Sequence, residues 1–151
     1  MTADGMLMQA RAELSRLGPY QADQMRRHGA LIVDLRPYAN RAAEGEIPGA
    51  VPVERIVLEW RLDPAGPHRL PCLTVDTQVV LVCNEGYASS LAARDVRRLG
   101  LHATDLIGGF RAWKAAGLPV VPAAAPQCPD GTLDGATDAR LELRDSALYL
   151  G

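Results

Sequence analysis

Cys83-Asn84-Glu85-Gly86-Tyr87-Ala88-Ser89-Ser90 brings a thiol, a glycine and two hydroxyls into close succession. A cysteine reacts as its thiolate, and a thiolate is favoured where unpaired amides and the positive end of a helix dipole meet it. Val79-Val80-Leu81-Val82 precedes the thiol as an unbroken apolar, largely β-branched run, the pattern of a strand buried on both faces. After it, Ala92, Val96 and Leu99 recur at helical spacing, with Ser89 expected to cap the first turn. The order is strand, cysteine-led loop, helix. In such a loop the amides of Asn84, Glu85, Gly86, Tyr87, Ala88 and Ser89 can curl around an anion or a negatively charged sulfur. The bland reading is that Cys83 is a small hydrophobe ending a buried strand.

The remaining thiols and imidazoles are scattered. Cys72 and Cys128 share no CxxC spacing with Cys83, and three cysteines make no disulfide framework, so they read as reduced thiols of a cytoplasmic protein. His28, His68 and His102 stand apart and read as surface or loop residues, and no local signature supports a papain-like pairing. No metal site or cofactor is expected. A cysteine phosphatase would need an arginine ending a slightly longer loop, where this chain has Ser89; Arg94 already lies within the helix.

The elements that must position this loop alternate. Met6 to Leu17 has a helical apolar stripe stopped by Gly18-Pro19, and a short helix follows over Gln21 to Arg27. Ala30 to Val33 reads as a buried strand closing at Asp34, and a helix led by Pro37 runs to Glu44. A Pro-Gly turn and short extended segment through Val53, a helix over Glu54 to Trp60 and a proline-rich loop to Asp76 come next. Beyond the central strand and helix, Ala103 to Ile107 is a strand, and Gly108-Gly109 leads into a helix through Ala116. Alternation of this kind implies a parallel sheet with helices on both faces, and ligands bind beyond the carboxyl ends of its strands, where Asp34 and Cys83 fall.

At 151 residues there is room for one domain, and 48% hydrophobic residues with 23% charged ones describe a globular chain. A net charge of -2 supports neither nucleic-acid nor anionic-membrane binding. The first residues show no secretory pattern, and no apolar run reaches membrane-spanning length.

Ile32-Val33-Asp34-Leu35-Arg36, Glu44-Gly45-Glu46-Ile47-Pro48-Gly49-Ala50, the Cys83 loop and Gly108-Gly109-Phe110-Arg111-Ala112-Trp113, in that order, resemble a single-domain rhodanese. The resemblance places a rhodanese domain at residues 19–121, with an N-terminal helical extension at 1–18 and a C-terminal tail at 122–151. It implies an α/β fold with a five-stranded parallel sheet and helices on both faces. It also implies that Cys83 carries a persulfide cradled by the loop from Asn84 to Ser89. Asp34 and Arg36 would form a supporting ion pair. Gly108, Gly109 and Trp113 would serve the fold. Trp60 matches no family role, and core packing is the default expectation for it.

Two departures from the family stand out. Glu46 replaces a frequent histidine, with only a surface effect expected. Ala88 replaces a frequent loop arginine while Glu85 adds negative charge, so the loop is poor in cations and thiosulfate, a dianion, should be used weakly. The expected partners are a small sulfur donor and a thiol, cyanide or protein acceptor. The alternative is a non-enzymatic module for redox sensing or partner docking.

Overall fold

The computed structural model describes residues 1–124. Cys128 and most of the expected tail lie outside the described residues. In chain order the elements are α1 (Ala3–Ala12), α2 (Pro19–Arg27), β1 (Leu31–Asp34), α3 (Tyr38–Glu44), β2 (Val51–Pro52), a 3-10 turn (Arg55–Val57), α4 (Leu58–Arg61), β3 (Gln78–Val82), α5 (Ala88–Arg97), β4 (His102–Asp105) and α6 (Gly109–Ala115).

The strands lie in the order β2-β1-β3-β4, and every pair is parallel. Successive side chains of a strand face opposite ways, and both faces are covered here. Val79 and Leu81 pack with Val33 and with Ala92, Ala93 and Val96 of α5. Val80 and Val82 pack with Ile32, Phe110 and Trp113 on the other side. Serines and alanines along the buried side of α5 let that helix sit close to the sheet.

Four strands are present among the described residues, where five were expected. The fifth position beside β4 holds a single parallel bridge, Leu17 to Leu106. Leu17 N–H donates to the Asp105 carbonyl at 3.1 Å, and Ile107 N–H donates to the Leu17 carbonyl at 2.8 Å. Extension stops there because Pro19, which has no N–H, begins α2.

Other expectations shift for local reasons. Helix α1 starts at Ala3, where Thr2 Oγ1 accepts the Gly5 N–H at 2.9 Å, and it ends by Ala12, earlier than the apolar stripe implied. Trp60, expected in the core, is 52% exposed, because α4 turns Leu58 and Leu62 inward instead. Glu46, expected on the surface, is buried and paired with Arg41 at 2.6 Å, and its backbone bridges Val121.

Candidate active site

Cys83 directly follows β3, so the buried strand fixes where its sulfur sits. The chain then turns through Gly86 at φ 85, a left-handed conformation suited to glycine. The Gly86 and Ser89 amides donate to Cys83 Sγ at 3.2 and 3.4 Å. The thiol in turn donates to Ser89 Oγ at 3.2 Å. Helix α5 begins at Ala88, so the sulfur lies against the first turn of a ten-residue helix. Only 8% of Cys83 is exposed, which admits a small or slender reactant.

Ser89 does not cap α5; the N-cap position is Tyr87, whose side chain makes no capping hydrogen bond. The Ser89 hydroxyl is engaged elsewhere, accepting from Cys83 and donating to Asp105 Oδ2 at 2.7 Å. Asp105 ends β4 and is fully buried, with Ser90 Oγ donating to it at 2.8 Å and Arg16 pairing with it at 2.8 Å. Arg16 also donates to the Gly86 carbonyl at 3.0 Å, and Arg11 of α1 donates to the same oxygen at 2.8 Å.

On the opposite side of the loop Glu85 is exposed and ion-paired with Arg111 of α6 at 2.9 Å. Arg111 also pairs with Glu44 at 3.3 Å, and Asn84 Nδ2 donates to Glu44 at 3.4 Å. The hydrogen bond from Arg111, aided by its charge, holds the Glu44 carboxyl below its ordinary value, and Glu44 reciprocally raises Arg111. The loop is therefore not poor in cations: Arg11, Arg16 and Arg111 reach it from elements distant in sequence. Tyr87 is 64% exposed, with the Arg11 guanidinium 5.6 Å from its ring centre, and Ala88 is exposed.

Asp34 and Arg36 form a buried bidentate pair at 2.8 and 3.0 Å, and Arg36 also donates to the Gly45 carbonyl. Its guanidinium lies 3.9 Å from the centre of the Phe110 ring. Among the described residues these bonds tie β1 to the turn after α3 and none goes to the loop. Behind the cysteine, Phe110 N–H donates to the Cys83 carbonyl at 2.8 Å. That approach needs Gly109, where an added Cβ would lie 2.5 Å from the Cys83 carbonyl oxygen.

Residue types and spacing single out Cys83 and its loop but miss the roles of Arg11, Arg16, Asp105 and Arg111. Asp105 carries a readable signal, a carboxylate at the carboxyl end of a strand, the same rule that selects Asp34. The arginines carry none, because their convergence depends on tertiary packing.

The sequence model of the family described as Rhodanese-like domain matches residues 19–116. The chain is 30% identical over 104 residues to thiosulfate sulfurtransferase GlpE of Pseudomonas fluorescens, covering 68% of this chain and 87% of that protein. It superimposes with a TM-score of 0.73 on a Rhodopseudomonas palustris protein of unknown function described as a possible tyrosine phosphatase. The two share 31% identity over 80% of this chain and 94% of the other. The polysulfide-sulfur transferase homodimer of Wolinella succinogenes shares the fold at a TM-score of 0.63 and 21% identity, covering 83% of this chain and 91% of that one.

Proposed function

Because this chain belongs to the rhodanese family, we propose that it is a sulfurtransferase in which Cys83 carries sulfane sulfur as a persulfide from a small donor to a thiol, cyanide or protein acceptor. The observation that carries this reading is the convergence of the Gly86 and Ser89 amides on Cys83 Sγ at the start of α5. Those donors favour negative sulfur without a metal or a separate base.

In the first half-reaction the Cys83 thiolate attacks the sulfane sulfur of the donor. A new S–S bond forms, and the bond to the donor's remaining group breaks, that group leaving with the electron pair. From thiosulfate the leaving group is sulfite. In the second half-reaction an acceptor nucleophile attacks the outer sulfur of the persulfide and returns Cys83 as thiolate. The chemistry needs the thiol reduced between cycles, which suits a reducing cytoplasm, and the described cysteines, Cys72 and Cys83, are free.

Charge around the loop bears on donor choice. Arg111 sits between Glu44 and Glu85, Arg16 is paired with Asp105 and Arg11 holds the Gly86 carbonyl, so three arginines and three carboxylates surround the loop and together offer a dianion little net attraction. Phosphate-ester hydrolysis would need an arginine fork aimed into the loop. Ala88 and Ser89 hold those positions, and Arg94 is bound to Asp95.

Steady-state sulfur transfer to cyanide and to a dithiol, with thiosulfate and polysulfide as donors, tests the proposal. Turnover by the natural chain that is abolished in Cys83→Ser is expected. Equal rates in the two proteins, or none in either, would favour the non-enzymatic module.

A further inference from the structure

Gly86 is the most permissive residue of the loop, and its carbonyl accepts from two guanidinium groups. Arg11 Nη2 donates to that oxygen at 2.8 Å and Arg16 Nη2 at 3.0 Å. A glycine at positive φ can swing the following peptide plane at little cost, and that plane, which carries the Tyr87 N–H, joins the Gly86 amide to the turn bearing the Ser89 amide, so a swing would displace the two donors relative to each other and to the sulfur. Two charge-assisted bonds to one carbonyl oppose that motion. Both guanidinium groups are themselves anchored. Arg16 grips Asp105 through Nε at 2.8 Å and Nη2 at 3.2 Å, and Arg11 Nε donates to Ser90 Oγ at 3.1 Å. Asp105 in turn accepts from Ser89 and Ser90, so one buried carboxylate ties the first turn of α5 to the same clamp.

We propose that Arg11 and Arg16, with Asp105, are positioning residues that clamp the Gly86 carbonyl and so hold the Gly86 and Ser89 amides on Cys83. They supply from the N-terminal segment the cationic support that the loop lacks at Ala88. The segment holding both arginines precedes residues 19–116, the part matched by the family model, whereas Gly86 and Asp105 lie within it. This inference rests on the sulfurtransferase reading for its consequence but not for its geometry.

Three full-length variants test it. Arg11→Met removes the two hydrogen bonds to the Gly86 carbonyl and Ser90 together with the contact to the Tyr87 ring, and strands no carboxylate among the described residues. Arg11→Lys can reach the carbonyl with one donor and should fall between Arg11→Met and the natural chain. Arg16→Met alone would leave Asp105 charged in the interior, so it is combined with Asp105→Asn, which still accepts from Ser89 and Ser90.

Three readouts are taken on each: melting temperature, amide hydrogen exchange across residues 83–90, and the rate at which Cys83 gains sulfur. In Arg11→Met and in the double variant we expect near-natural melting, loop exchange about tenfold faster and sulfur uptake about tenfold slower. If both variants are folded yet exchange and load like the natural chain, Arg16 serves only to neutralise Asp105 and the clamp is refuted. If the natural chain gains no sulfur from thiosulfate or polysulfide, the sulfurtransferase reading fails, and loop exchange alone decides the clamp.

Discussion

Ser89 uses one hydroxyl for two tasks, accepting from the Cys83 thiol and donating to Asp105, and this sets what its removal should do. Ser89→Ala keeps its amide on the sulfur but cuts the link to the buried carboxylate. Asp105 still has Ser90 and Arg16, so the protein should fold. Sulfur uptake, followed by quenched-flow mass measurement, should slow about tenfold, the equivalent of about 1.4 kcal/mol. An unchanged rate would mean the two amides suffice. At Ala88, where exposure leaves room, Ala88→Arg should place a cationic fork facing an anionic donor. Thiosulfate kcat/KM should then rise about tenfold while a polysulfide donor responds much less. Equal gains for both donors would remove charge as the cause.

Among the elements, α6 governs the loop from behind and beside. Its first residue, Gly109, has φ 65 and no room for a Cβ against the Cys83 and Asn84 backbone. Gly109→Ala should cost about 2 kcal/mol or more, read from urea midpoints, because both strain and a backbone clash oppose it. Two residues on, Arg111 links α6 to Glu44 of α3 and to Glu85 of the loop. The Glu44 carboxyl is lowered from its ordinary 4.5, chiefly by the Arg111 hydrogen bond. Its contribution to stability is therefore present above that pH and is lost as pH falls through the lowered value. Arg111→Gln should be slightly less stable than the natural chain at neutral pH, and the two urea midpoints should converge as the pH is taken well below 4.5. A gap that persists in acid would show that Arg111 acts through packing rather than through Glu44.

Across the whole molecule, what was legible in sequence was local. The run from Val79 to Val82, the loop turning at Gly86 and the helix after it follow from neighbouring residues, and the structure has that order. Alternating elements made the parallel sheet legible, but not its edge, because the bridge at Leu17 is decided by where Pro19 starts a helix. Ser89 looked like a helix cap because the serine pattern is local, whereas its partner Asp105 is brought in by the register that sets Leu81 against Asp105. Loop charge was misread for the same reason, since Arg11 and Arg111 are placed by the packing of α1 and α6. Trp60 shows the converse: its bulk suggested the core, but Leu58 and Leu62 fill the space beneath α4.

Sulfur transfer of the kind proposed requires that Cys83 itself hold transferable sulfur. The most direct measurement is mass spectrometry of the intact chain after brief exposure to a sulfur donor, followed by peptide mapping and then by addition of a thiol acceptor. A gain of one sulfur atom is expected on the peptide containing Cys83, absent in Cys83→Ser and lost again when the acceptor is added. A chain that gains no sulfur, or gains it equally on Cys72, would contradict it.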